Sequence, residues 1–268
     1  MQIYSTLIIL IFFTLHLTAQ DNFTPDEYMR LAENYKKVSK PDSAILYFEK
    51  AAALFQTTNN YESQVNALNQ IGIILTRQDK YEISKKYLDQ ALLLGQSKLD
   101  SGSLFLATTY ISLGVLHAAE ENYKESLVFH NKALAIRLSK LGENHSDVAT
   151  SYGNIGNVYF RSKDYSQAIE AHLMAMNIRE KLFGPESPEI TQSYTNLGNA
   201  YKEQKDYTTS LSFYLKALKN KIKLRGLKHK ELIPCYNNLK DVYYLMGDME
   251  QGDFNKQKAE EILNNTER

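Results

Sequence analysis

From residue 25 onward, apolar and small residues fall into two helical stripes that recur with a long period. Segments beginning at Thr108, Thr150, Gln192 and Pro234 align without gaps at a step of 42, and two further copies precede them, the first set 40 residues before the second. Let Tyr152 and its equivalents be position 4 of each copy. A large residue stands there throughout: Tyr28, Leu68, Tyr110, Tyr152, Tyr194 and Tyr236. Position 7 is aliphatic (Leu31, Ile71, Leu113, Ile155, Leu197, Leu239), and position 8 is small in the first five copies (Ala32, Gly72, Gly114, Gly156, Gly198). The second stripe has a small residue at position 20 (Ala44, Ser84, Ser126, Ala168, Ser210, Gly252). A larger residue follows at position 24 (Phe48, Leu88, His130, His172, Tyr214), and alanine at position 27 (Ala51, Ala91, Ala133, Ala175, Ala217, Ala259). Spacings of three and four place each stripe on one face of a helix. Small residues let two backbones approach, and large ones fill what remains.

Polar turns such as Ser162-Lys163-Asp164 separate the stripes, so each copy is a predicted helix hairpin. One hairpin cannot bury its own apolar face; stacked neighbours bury it, giving an elongated core with nearest-neighbour contacts. The connectors also repeat: LGENHSDVA from Leu141, FGPESPEIT from Phe183 and RGLKHKELI from Arg225. Gly142, Gly184 and Gly226 are placed where a helix should end in a left-handed conformation. Ser187, Pro188 and Glu189 read as an N-cap, a first helical position and a favourable acid. The last copy carries Met249, Gly252 and Lys256 at packing positions and a polar tail, which predicts a terminal cap whose outer face meets water.

This pattern of a large residue, Leu-Gly, Tyr, Ala, an aromatic and Ala resembles the tetratricopeptide repeat. The 42-residue step and the connector are similar to the kinesin light chain type, closely in four copies and loosely in the first two. The resemblance implies an all-α fold, a right-handed α-solenoid of about six hairpins over residues 25–266. The approximate repeats are 25–60, 65–100, 107–142, 149–184, 191–226 and 233–266.

Residues 1–20 differ from the rest. They contain no Lys, Arg, Asp or Glu, and Leu7 to Phe13 are seven consecutive apolar residues followed by Thr18-Ala19. This fits a secretory signal peptide over residues 1–19 and an exported protein, periplasmic or secreted; an uncleaved N-terminal anchor and a cytoplasmic chain are the alternatives. No later segment is apolar for long enough to span a bilayer.

The face of the first helix opposite the packing stripe carries positions 2, 6, 9 and 13. Position 6 holds Asn154, Asn196 and Asn238 in the last three copies; position 9 holds Asn157 and Asn199; position 13 holds Arg161 in the fourth copy. In a curved array of hairpins this face lines the concave side. An amide both donates and accepts, so a ladder of amides suits the backbone of an extended peptide. The family resemblance implies that role for Asn154, Asn157, Asn196, Asn199 and Asn238, with Arg161 beside them. The same amides also fit a merely solvated face. A reader of C-terminal carboxylates is disfavoured, because position 5, where such clamps need Lys, holds Met29, Asn69, Ile111, Gly153, Thr195 and Asn237.

Composition narrows the function. With 31 basic and 31 acidic residues the chain is neutral, against a nucleic-acid partner. The single cysteine, Cys235, excludes an internal disulfide and reads as a partly buried, inert thiol. His130 and His172 share a packing slot and read as hydrogen-bonded core histidines rather than metal ligands. Residues 216–230 hold six Lys, Arg225 and His229 without an acid, a candidate for weak anionic contact. No GxxxxGK[ST], HExxH or GxSxG signature is present, so no cofactor, metal or catalysis is expected. The expected function is a scaffold that binds a protein or peptide partner in its groove. A sensory module acting through a separate effector and a structural spacer are the alternatives.

Overall fold

The computed structural model describes residues 23–266. The predicted signal segment lies outside them. Helix α1 (Pro25–Lys37) pairs with α2 (Pro41–Thr57), α3 (Tyr61–Arg77) with α4 (Tyr81–Lys98), and α5 (Leu104–Ala119) with α6 (Tyr123–Leu141). In the second half α7 (Ser146–Arg161) pairs with α8 (Tyr165–Phe183), α9 (Pro188–Glu203) with α10 (Tyr207–Arg225), and α11 (Ile233–Leu245) with α12 (Met249–Thr266). A 3-10 turn, Lys230–Leu232, leads into α11, and the described residues contain no strand. Substantial contacts join each helix only to the next one or two in the chain, which makes the molecule a linear stack and the fold an all-α solenoid.

In the second to fifth hairpins the position-24 side chain lies on the position-8 glycine. A methyl group on Gly198 would come within 2.5 Å of the Tyr214 ring, and one on Gly156 within 2.6 Å of the His172 ring. The small residue therefore sets the distance at which its helix pair closes. Position 20 adds a polar tie: the hydroxyls of Ser84, Ser126 and Ser210 donate to the carbonyls of Gly72, Gly114 and Gly198 at 2.7–2.8 Å. Each bond is buried and links the two helices of one hairpin, where an unmade bond would be expensive.

The turns inside the hairpins hold a residue with φ between 55° and 66° in the first five copies, and it is never glycine there: Ser39, Asp79, Glu121, Lys163 and Lys205. Only the last copy uses glycine, Gly247. In the last three copies the next residue, Asp164, Asp206 or Asp248, caps the second helix by accepting a backbone N–H at 3.0–3.2 Å.

The connectors depart from expectation in two ways. Gly142, Gly184 and Gly226 have positive φ, but their ψ of 166–170° places them outside the left-handed helical well, in a region open essentially to glycine alone. Ser187 stands at the N-cap of α9 but makes no capping bond, and its buried hydroxyl has no partner. Instead the imidazoles of His145 and His229, at the same place in other copies, accept from the N–H of Asp147 and Glu231 at 3.1 and 3.2 Å.

Neighbouring hairpins are tied by cations in the middle of the stack. Arg137 donates to the Asp147 carbonyl at 2.8 Å and to the Ser151 hydroxyl at 3.0 Å; Arg179 donates to Ser193 at 2.7 Å. The terminal cap is less polar than its sequence suggests, since Leu245, Met249 and Phe254 are all about half exposed or more. Gly252 there makes room for Tyr244, whose ring a methyl group would meet at 2.1 Å. No described helix is long and apolar enough to cross a membrane.

Candidate binding groove

Two pairs of odd-numbered helices approach each other, α3 with α5 and α7 with α9, whereas no pair of even-numbered helices makes a contact of that extent. A stack packed closer on one side curves toward that side, so at these two steps the odd-numbered helices face the inside of the curve. Asn154, Asn157 and Arg161 stand on α7, Asn196 and Asn199 on α9, and Asn238 on α11. Asn157 and Arg161 are exposed; the other four are half-buried.

The structure links some of these groups directly. Asn196 donates through Nδ2 to Asn157 Oδ1 at 3.4 Å across the boundary between copies, and Gln192 Nε2 donates to Asn196 Oδ1 at 2.7 Å. An earlier boundary carries a similar bond, from Lys36 Nζ to Gln70 Oε1 at 2.8 Å, so position 6 meets the preceding hairpin there too. Asn199 Oδ1 accepts from the Tyr214 hydroxyl at 2.6 Å. The guanidinium of Arg161 lies 5.7 Å from the centre of the Tyr123 ring, held by its cationic face on the aromatic one.

Asn154, Asn157 and Arg161 share an open hollow of about 380 Å³ with Val115, Phe160 and His130. Asn238 lies apart from them, in a second hollow of about 400 Å³ between α9, α10 and α11 whose wall includes Lys221, Arg225 and Glu231. The bonds that orient these amides join residues of different helices and do not follow from their spacing in the sequence. Tyr214 was read as packing alone; its signal is length, since a phenol at position 24 outreaches the imidazoles of the two preceding copies.

His130 and His172 are buried over their own glycines, Gly114 and Gly156, rather than facing each other. The buried Nδ1 of His130 has no hydrogen-bond partner. Burial, with a nearby arginine adding to it (Arg137 and Arg179 respectively), lowers both imidazoles to about 4 and keeps them neutral. Among the described residues no group of three or more His, Cys, Asp or Glu is arranged to hold a metal. Cys235 is buried, and burial pushes its thiol up. In the basic segment, two acids from outside it pair with four of its cations. Glu186 meets Lys219 and Lys223, and Glu231 meets Lys221 and Arg225.

Comparison with known families gives four overlapping matches to the tetratricopeptide repeat, at residues 63–139, 105–181, 147–223 and 189–264. Each match spans two hairpins and begins one 42-residue step after the last. The chain belongs to the tetratricopeptide repeat family. Tetratricopeptide repeats are protein–protein interaction scaffolds, and this chain shares that architecture. Solved structures agree in fold. BtubC (BKLC) from P. vanneervenii is 18% identical, with 91% of each chain covered and a TM-score of 0.71. A putative kinesin light chain from Podosopora anserina with nearly identical TPR-like repeats is 15% identical over 77% of this chain and 98% of that one, with a TM-score of 0.69. The apo form of RapI is 15% identical over 91% of this chain and 75% of that one, with a TM-score of 0.59. At these identities the likeness is one of fold. No curated protein matches the sequence.

Proposed function

We propose that this protein is a non-catalytic scaffold that holds an extended segment of a protein partner against the concave faces of α7 and α9. The observation that carries the reading is the run of amides joined across a copy boundary, Gln192 to Asn196 to Asn157, with Asn199 one helical turn from Asn196 on the same helix. These groups sit on rigid, preformed helices, so a bound segment does not have to order them. Arg161 and Asn154 extend the contact surface toward the hollow beside Val115. The apolar stretch from Leu7 to Phe13 supports an exported location for the scaffold.

Affinity capture with the Asn157→Ala/Asn199→Ala double variant, read by mass spectrometry, tests the proposal. The partner recovered with the wild-type chain should be lost or reduced at least tenfold, while the circular dichroism spectrum stays helical. Undiminished capture by a folded double variant would overturn the groove as the binding site.

A further inference from the structure

Tyr214 is 1% exposed and lies in the slot above Gly198 where copies 3 and 4 hold His130 and His172. Its hydroxyl extends past the slot to the groove rung and donates to Asn199 Oδ1 at 2.6 Å. Burial raises the phenol well above its ordinary value, so it remains a protonated donor. That bond orients the planar amide with its oxygen toward the hairpin and its Nδ2 group turned away from Tyr214.

The same polarity is reached differently one copy earlier. Gln192 donates to Asn196 Oδ1, and Asn196 Nδ2 donates in turn to Asn157 Oδ1. The oxygen of Asn157 is thus engaged by protein, and its Nδ2 hydrogens remain. Arg161, one turn further along α7, has only donors. We propose that Tyr214 is a positioning residue that fixes the Asn199 amide, so that this stretch of the groove reads the carbonyl oxygens of an extended segment rather than its N–H groups. The inference rests on the groove reading above and names the part of the backbone that the groove takes.

Side-chain carboxamide NMR spectra of the labelled full chain test it without any partner. Two small amides serve as probes: N,N-dimethylacetamide, a carbonyl with no N–H, and N-methylacetamide, which has both groups. In the wild-type chain both should shift the Nδ2 resonances of Asn199 and Asn157 equally. In Tyr214→Phe the Asn199 Cγ resonance should move upfield as its oxygen loses the bond. N-methylacetamide should then shift Asn199 at least twofold further than dimethylacetamide, while Asn157 behaves as before. An unmoved Asn199 Cγ in a folded Tyr214→Phe chain would overturn the proposal. So would a wild-type chain in which only N-methylacetamide acts on Asn199. Should Tyr214→Phe not fold, Tyr214→His, which copies 3 and 4 already accommodate in this slot, is read in the same way. Because these spectra report on the free protein, the amide's orientation and the partner-capture result stand or fall separately.

Discussion

The two buried imidazoles make folding stability depend on pH in a way that can be calculated. Folded, His130 and His172 titrate at about 4; an ordinary imidazole titrates at 6.5. Between these values the unfolded chain binds two protons that the folded chain refuses. Their contribution is therefore intact above 6.5, declines as pH falls toward 4, and levels off below that. Going from pH 7.5 to pH 5.0 removes ~2 kcal/mol for each histidine and ~4 kcal/mol for the pair, at about 1.4 kcal/mol per pH unit. Leu88 fills the equivalent slot above Gly72 and is fully buried, so His130→Leu/His172→Leu preserves the packing and removes the titration. Urea unfolding followed by far-UV circular dichroism across this pH range, on wild type and double variant, gives the comparison. Carboxylates titrate alike in both proteins, so the difference between the two curves isolates the histidines. Curves that remain parallel from pH 7.5 to pH 5.0 would refute the reasoning.

Three further outcomes follow from the connectors, the turns and the ties. Gly184→Ala places a methyl group in open space at a φ of 84°, so its cost is backbone alone, about 1–3 kcal/mol, while Lys205→Gly at a φ of 66° should stabilise by about 1 kcal/mol; urea unfolding measures both. Arg179→Met leaves the buried Ser193 hydroxyl without its donor and should cost about 1.5–3 kcal/mol. Hydrogen exchange should then quicken in the first turns of α9 and stay unchanged in α3.

The hairpins were legible because their packing slots recur at a fixed step and each slot demands a narrow range of volumes. A small residue at position 8 and a ring or branched chain at position 24 announce each other across sixteen residues of sequence, as Gly198 and Tyr214 do. The ties between copies were written less plainly. Arg137 and Ser151 recur 42 residues later as Arg179 and Ser193, but a serine on an apolar face reads as a small packer until its partner is placed beside it. The turn residues were hidden for another reason. Lys163 and Lys205 carry no local mark of their positive φ, which is imposed by the helices on either side. The register of the repeats puts Asn157, Asn196 and Asn199 on one helix face, whereas the directions of the Asn196 and Asn199 amides depend on Gln192 and Tyr214, which reach them through space.

The repeated connectors have a consequence for how such a protein can change length. Gly142, Gly184 and Gly226 share one backbone conformation, and the elements they join are alike on both sides. Excising residues 143–184 and splicing Gly142 to Pro185 would remove one whole unit and bring Arg137 opposite Ser193 in place of Ser151. The new seam would find its hydrogen-bond donor and acceptor already matched. Growth or loss by single units is thus open to this chain, and the reach of its inner surface can be adjusted in quanta without redesigning any joint.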